Sequence, residues 1–478
     1  MNVLFASAEC APFFKTGGLG DVAASLPKAL AKKATDISVV LPYFTKMPEI
    51  YQSQCQTLCN FTVEVGWRKQ GCEVKQLKQS SVTYYFIENP YYFDRENLYG
   101  YDDDGERFAF FSLAIIEMVR KLELLPEIIH VNDFHTAMIP FLLKEKYASI
   151  KNFQSIRTIL TIHNIEFQGN FAKDSLPDYF GISLEPYTDR KELFSDGLNY
   201  LRTGILFADH VTTVSPTYAK EIQTQEFAFG LDQILSYRKN KLSGILNGID
   251  YELNNPETDQ AIPAPYSVDN LADKKKNKQV LQEKMNLPVR DEIPLIGIVS
   301  RLTAQKGFLL VLDELAEILD KDVQLVLLGT GDKEIERSFQ QFAERYPDKF
   351  KTNITFDVDL AQLIYAGADL FLMPSKSEPC GLSQMLAMHY GTLPIVHEIG
   401  GLKDTVIPFN PIAKSGTGFG FAKFDTADLI KSIQTAIDLY WQNQEVWQIL
   451  MKNAMEKDFS WEKSSRLYLD LYQKAISS

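Results

Sequence analysis

Cysteine, positive charge and long apolar runs are all scarce in this 478-residue chain. It holds five cysteines, an odd number, which argues against a disulfide framework. Cys55 and Cys59 are separated by three residues, but no second pair or nearby histidine completes a zinc site. Lysine and arginine total 49 against 62 acidic residues, a net charge of −13, so no electrostatic footprint for nucleic acid or an acidic membrane is expected. No apolar run reaches the roughly 18–20 residues that span a bilayer. The first residues, Met1-Asn2-Val3-Leu4-Phe5, run straight into a strand-like pattern and show no signal-peptide layout. A cytoplasmic protein with no membrane partner is therefore expected. There is no internal repeat and no low-complexity tract. The one basic cluster, Lys274-Lys275-Lys276 with Lys278, lies in a polar, proline-flanked stretch and reads as a solvated face.

What the chain does have is alternation. Apolar runs rich in β-branched and aromatic residues at 3–6, 37–41, 84–87, 128–131, 159–162 and 210–214 read as buried strands. Helical patterns at 21–32, 107–121, 137–146 and 216–223 lie between them. The pattern lapses over 247–294, where Asn254-Asn255-Pro256, Pro263, Pro265 and the lysines suggest a connector. It then resumes, with strands at 294–300, 323–329, 354–356, 370–374 and 393–396 and helices such as 309–318 and 382–390. Strands alternating with helices predict an α/β protein with two doubly wound, Rossmann-like domains facing a deep cleft. Ligands in such sheets bind beyond the carboxyl ends of the strands.

Four segments carry candidate chemistry. Lys15-Thr16-Gly17-Gly18-Leu19-Gly20-Asp21 joins the first strand to a helix. Its glycines permit close backbone approach, and a helix start favours an anion. The third glycine of a dinucleotide fingerprint is replaced by Ala23, and no Gly-Lys-Ser/Thr phosphate loop is present. On spacing alone a tight turn is as good a reading as a ligand loop. In Val299-Ser300-Arg301-Leu302-Thr303-Ala304-Gln305-Lys306-Gly307, Arg301 and Lys306 flank a strand-to-helix turn, where they either clamp a diphosphate or are plain surface cations. In Pro374-Ser375-Lys376-Ser377-Glu378-Pro379-Cys380-Gly381-Leu382, Glu378 and the following amides sit where a sugar and its phosphate would meet. Cys380 has no adjacent histidine and reads as packing or lining rather than a nucleophile. His130-Val131-Asn132-Asp133-Phe134-His135 and Thr161-Ile162-His163-Asn164 fall at strand ends. Their histidines and aspartate fit a metal site, a proton relay or, the reading favoured in isolation, ordinary hydrogen-bonded residues; His210, His389 and His397 take only that last reading. Tyr91-Tyr92-Phe93 reads as core or strand edge, with sugar stacking as the sharper alternative.

Taken together, the chain resembles the bacterial glycogen synthases and plant starch synthases. The resemblance rests on Lys15-Thr16-Gly17-Gly18-Leu19, Thr213-Val214-Ser215-Pro216-Thr217-Tyr218, Gly244-Ile245-Leu246-Asn247-Gly248-Ile249-Asp250, Asn255-Pro256-Glu257-Thr258-Asp259, Arg301-Leu302 with Gln305-Lys306-Gly307, and Glu378-Pro379-Cys380-Gly381-Leu382. These six segments stand in register along nearly the whole chain. The resemblance implies the glycosyltransferase-B fold, ADP-glucose as donor, glycogen or another α-1,4-glucan as acceptor, and retention at the anomeric carbon. It divides the chain into an acceptor-side domain (1–246), a donor-binding domain (247–458) and a C-terminal segment (459–478) whose helix, near 461–475, crosses back to the first domain.

The implied catalytic set is Glu378, His163, Asp133, Arg301 and Lys306. The implied substrate-binding set is Lys15, Thr16, Gly17, Gly18, Glu9, Asp21, Asn247, Gln305, Phe356, Cys380, Gly381 and Leu382. Domain closure is expected to assemble the donor loops. No metal-binding D-x-D arrangement is read, so no metal or other cofactor is expected. The chain departs from the family at Asn132 and Phe134, at Asn254 where a tryptophan is usual, and at Phe356, which keeps the stacking ring of a tyrosine without its hydroxyl. Leu386 stands where many other retaining transferases carry a second glutamate. The competing readings are a related transferase using UDP-glucose or another acceptor, an NAD(P)-dependent oxidoreductase, and a non-catalytic glucan-binding protein.

Overall fold

The structure, a computed structural model, describes residues 1–33, 35–187 and 197–477. The chain forms two compact units, one of Met1–Gly248 with the C-terminal helix Trp461–Ser477, the other of Ile249–Ser460.

The N-terminal unit is built on a nine-stranded sheet. Its strands are β1 (Asn2–Ala6), β2 (Asp36–Pro42), β3 (Gln56–Val65), β4 (Arg68–Gln79), β5 (Val82–Glu88), β6 (Ile128–Asn132), β7 (Arg157–Ile162), β10 (His210–Thr213) and β11 (Leu242–Gly244). Two short strands, β8 (Asn170–Phe171) and β9 (Leu198–Asn199), pair separately. The sheet order is β11-β10-β7-β6-β1-β2-β5-β4-β3. All pairs are parallel from β11 to β5, and β5, β4 and β3 then run antiparallel. The β3–β4 hairpin escapes the sequence pattern because β3 is mostly solvent-facing and lacks a clean apolar alternation. The helix Trp461–Ser477 packs against the helix Gly18–Ala31 and buries Tyr468, Tyr472 and Ala475 completely.

The second unit carries six parallel strands, β12 (Leu295–Val299), β13 (Gln324–Leu328), β14 (Phe350–Asn353), β15 (Leu370–Met373), β16 (Leu393–His397) and β17 (Phe419–Phe421), in the order β14-β13-β12-β15-β16-β17. The run of Leu, Ile, Val and Phe in β12, β13 and β15 is almost wholly buried, as strands covered on both faces require. In each sheet the chain order reverses beside the first strand, between β1 and β6 and between β12 and β15. These reversals open a crevice beyond the carboxyl ends of the strands.

Three expectations are corrected. The strand expected at 354–356 lies earlier, at Phe350–Asn353, and Phe356 falls in the turn before the helix Val358–Gly367, which Asp357 caps by accepting the Leu360 N–H. The helix expected at 137–146 is two short pieces, Asp133–Thr136 and Ile139–Lys144. The supposed connector contains the helix Lys274–Lys284, and its lysines are not a solvated face. Positions 274 and 278 share the inward side of that helix and are 5% and 3% exposed, whereas Lys275 and Lys276 face solvent. Lys274 Nζ donates to the Ala366 carbonyl (2.8 Å) and Thr392 Oγ1 (2.7 Å), and Lys278 Nζ pairs with Asp369 (2.7 Å). Burial lowers the Lys274 pKa to about 7.

Candidate active site

In the N-terminal unit the loop after β1 is shaped by Glu9. Its buried carboxylate accepts the backbone N–H of Thr16 (2.6 Å) and Gly17 (3.1 Å) on one oxygen. The other oxygen accepts the Thr16 hydroxyl (2.7 Å) and the Tyr99 phenol (2.8 Å). This fixes Lys15-Thr16-Gly17-Gly18 against the start of the helix Gly18–Ala31, with Gly17 in the capping position and no side chain capping it. Gly20 is needed because a Cβ there would come within 2.4 Å of Lys15 Cβ. Lys15 pairs with Asp21 at 2.7 Å, both side chains partly exposed.

Beyond β6 and β7 the candidate residues converge. Asp133 is buried at a left-handed backbone angle, φ 52°. Its Oδ1 accepts the His163 N–H at 2.7 Å, and it also receives a backbone hydrogen bond from Asn164. Burial, helped by the charge of Glu9 and opposed by those two N–H groups, raises its pKa to about 7. His163 Nε2 lies 2.9 Å from Asn132 Oδ1. Burial lowers the His163 pKa to about 3, so the ring is neutral at neutral pH. Asn247, in the segment after β11, is also buried, and its Oδ1 has no hydrogen-bond partner among the described residues.

In the C-terminal unit the loops after β12 and β15 come together. Gly307 adopts φ 76° and abuts the Pro374 carbonyl, which a Cβ would approach to 1.9 Å. The Gln305 carbonyl accepts the Lys376 N–H (2.9 Å). This contact brings Lys306 Nζ to 2.6 Å from Glu378 Oε2, an oxygen that also accepts the Ser375 hydroxyl (2.9 Å). Glu378 is buried, whereas the Arg301 side chain is exposed and makes no hydrogen bond or ion pair among the described residues. Cys380 is buried and Gly381 and Leu382 are half-buried, and Gln384 Nε2 donates to the Cys380 carbonyl (3.0 Å). Phe356 is 80% exposed.

Sequence reasoning missed three supports. Tyr99 holds Glu9 from 90 residues away, Ser375 holds Glu378, and His397 Nδ1 binds the Ser375 carbonyl at 2.8 Å. Ser375 lies inside a quoted motif, but a serine there gives no local sign of its partner. His130 is hydrogen-bonded as expected, to Tyr472 and Thr161 (both 2.6 Å). His135 is not: both ring nitrogens lack a partner among the described residues, and the ring packs against Phe134 (3.9 Å), Tyr99 (4.5 Å) and Phe108 (4.6 Å). His389 similarly stacks on Tyr251 at 4.2 Å. Tyr92 and Phe93 are core, and Tyr91 is exposed.

The aspartate spacing also needs correction, because Asp102-Asp103-Asp104 does have the D-x-D pattern. Asp103 is paired with Arg95 (2.7 Å) and Asp104 with the buried Arg107. Among the described residues no group of three or more His, Cys, Asp or Glu side chains is placed to hold a metal ion. No described helix is long and apolar enough to cross a membrane.

Sequence profiles match both units. The family described as "Starch synthase catalytic domain" matches residues 2–237, and "Glycosyl transferases group 1" matches residues 280–454. A glycogen synthase of Lactococcus lactis subsp. lactis is 56% identical over 477 residues, covering 99% of this chain and 100% of the relative. The chain belongs to the glycogen and starch synthase family. A glycogen synthase of Ligilactobacillus salivarius is also 56% identical, covering 100% of both chains. Among solved structures, the catalytic domain of starch synthase IV from Arabidopsis thaliana, bound to ADP and acarbose, matches with a TM-score of 0.92 and 34% identity, over 100% of this chain and 99% of that one. A sucrose-phosphate synthase from Thermosynechococcus elongatus shares the fold at a TM-score of 0.62 and 18% identity, over 100% of this chain and 99% of that one. The protein is thus a glycosyltransferase with the two-domain glycosyltransferase-B fold. The oxidoreductase reading falls with that assignment.

Proposed function

We propose that this glycogen synthase family member transfers glucose from ADP-glucose to the non-reducing end of an α-1,4-glucan with retention of anomeric configuration. The observation that carries the choice of substrates is the likeness, along the whole chain, to a starch synthase domain bound to ADP and acarbose. Cleavage of the donor builds negative charge on the leaving diphosphate. Exposed Arg301 and the Lys306 ammonium are assigned to that charge, where preorganised cations are worth far more than in water. Lys15 and the Gly18 amide at the helix start are assigned a supporting part, with Glu9, which takes the Thr16 and Gly17 amides, and Asp21 holding their loop. Asn247 is a supporting polar group.

Glu378, fixed by Lys306 and Ser375, orients sugar hydroxyls at the reaction centre. His163, through its ring and backbone carbonyl, faces the glucose, and Asp133 serves the acceptor side. Phe356 offers its exposed ring to the adenine. Gln305, Cys380, Gly381 and Leu382 line the donor. With no nucleophile assigned, retention follows from attack on the face that the diphosphate leaves, the departing phosphate taking the acceptor proton. The working place of the protein is the cytoplasm, and no cofactor is invoked.

The test is glucose incorporation into glycogen from ADP-glucose and from UDP-glucose, each with and without EDTA. Incorporation that favours ADP-glucose and survives EDTA supports the reading. Incorporation from UDP-glucose alone reassigns the donor, loss with EDTA reassigns the charge stabilisation, and no incorporation from either rejects the reaction.

A further inference from the structure

Asn132 has a side chain whose two ends are both committed. Its Nδ2 donates to the Ala6 carbonyl at 2.9 Å. A carbonyl oxygen only accepts, so the amide cannot be turned around, and Oδ1 must face His163 Nε2 at 2.9 Å. An amide oxygen also only accepts, so the proton of the neutral imidazole has to sit on Nε2, leaving Nδ1 a bare acceptor. Asn132 is itself rigid: it is fully buried, its backbone N–H donates to Thr136 Oγ1 (2.8 Å), and the same hydroxyl donates to its carbonyl (3.0 Å).

Consecutive strand residues point to opposite faces, so Asn132 and Asp133 would not normally serve one partner. The left-handed turn at Asp133, φ 52°, removes that constraint. Asn132 then holds the His163 ring while Asp133 holds its backbone N–H.

We infer that Asn132 is a positioning residue that fixes His163 as its Nε2–H tautomer, so that Nδ1 presents a lone pair to a hydroxyl donor of the sugar. The tautomer assignment stands on unit geometry alone; the sugar hydroxyl as partner rests on the function proposed above. A histidine held in the other tautomer would present a donor to that hydroxyl instead, and the bond would depend on rotation of the hydroxyl proton. Neighbours that orient metal-ligating histidines matter by about 10- to 100-fold, and the same scale is expected for a histidine oriented toward a sugar.

The test labels histidine with ¹⁵N in the full chain and assigns the His163 signals by their loss in His163→Gln. The expected wild-type spectrum has a protonated Nε2 and an unprotonated Nδ1. In Asn132→Ala the two tautomers should mix, and kcat should fall about 10- to 100-fold with little change in KM for ADP-glucose. Asn132→Asp keeps an acceptor for Nε2–H and should keep that signature while giving up the donor to the Ala6 carbonyl, and the thermal midpoints of both variants control for a packing defect at the buried site. A wild-type Nδ1–H signature, or an Asn132→Ala spectrum identical to wild type, would overturn the inference. If wild type shows the expected tautomer but makes no glucan, the proposed reaction fails while the assignment of Asn132 stands.

Discussion

The loop after β1 and the loop after β12 hold the same place in their two sheets, yet they use charge in opposite ways. At the N-terminal loops two buried carboxyl groups are spent on backbone: Glu9 binds the N–H groups of Thr16 and Gly17, and Asp133 binds that of His163. Lys15, in the same loop as Glu9, is already paired with Asp21. In the C-terminal unit the charge at the loop is cationic. Lys306 is gripped by Glu378, and Arg301 is left exposed. Equivalent topology therefore does not give equivalent chemistry. One loop is shaped by its carboxylate, and the other leaves a cation exposed, as the function proposed above requires for an anion.

The sharpest way to break this comparison is Arg301→Ala. Because the side chain is exposed, the fold should be unaffected and the thermal midpoint unchanged. Turnover should fall by about 10²–10³, the range typical for removing one preorganised charge-stabilising group. Near-normal turnover would mean that the C-terminal loop is not the charge-bearing one. Glu9→Ala should come next. It strips the acceptor from two amides and two hydroxyls, and kcat/KM for the donor should drop about 10- to 100-fold, the equivalent of losing charged hydrogen bonds worth ~1.5–3 kcal/mol. Glu9→Gln keeps one acceptor oxygen and should retain more activity than Glu9→Ala. Equal activity in the two variants would show that shape at this loop is not held by the carboxylate.

Phe356→Ala is expected to be milder. An exposed ring contributes little to the fold, so its loss should appear as a roughly 2- to 10-fold rise in KM for ADP-glucose, in line with ~0.5–1.5 kcal/mol for an aromatic stack. Phe356→Tyr should restore the wild-type value. A change in kcat with KM untouched would remove Phe356 from the donor site.

Much of the frame of both loops is legible in the sequence. Short β-branched runs mark the core strands, and glycines after the first strand of each unit mark where backbone must approach closely. The shape of the loops is less legible, because it depends on partners remote in the chain. Nothing local to Glu9 announces Tyr99, and nothing local to Glu378 announces that His397 steadies the Ser375 beside it. The lysine run misleads for a related reason. Composition says solvent, but the helical spacing of 274 and 278 turns two of its members inward. The reading of Phe356 as strand fails because an aromatic beside a β-branched run looks like core, whereas Asp357 immediately starts a helix. His135 reads as a hydrogen-bonded core histidine, and only packing shows that aromatic rings, not acceptors, surround it.

On stability rather than turnover, the buried charges of the two units can be compared directly, because burial drives Asp133 up and Lys274 down to the same pKa, about 7. Their contributions to stability must then have opposite pH dependence. Asp133 rises from 3.8, so between pH 4 and 7 the folded chain holds a proton that the unfolded chain has lost. Stability from this group is present at low pH and lost as pH climbs to 7. Asp133→Asn escapes that loss and should gain on wild type across this window. Lys274 falls from 10.5, so between pH 7 and 10 the unfolded chain holds the extra proton, and wild type gains stability as pH rises. Lys274→Met lacks that gain. It also strands the Ala366 carbonyl, so it should be destabilised throughout and most of all near pH 10. Thermal midpoints of both variants against wild type at pH 4.5, 7 and 9.5 read the two slopes. If both variants track wild type in parallel, neither charge is desolvated as the geometry requires. If only the Lys274 variant diverges, water reaches Asp133, and the surroundings of that carboxylate in the N-terminal unit are softer than the packing around Lys274 in the C-terminal unit.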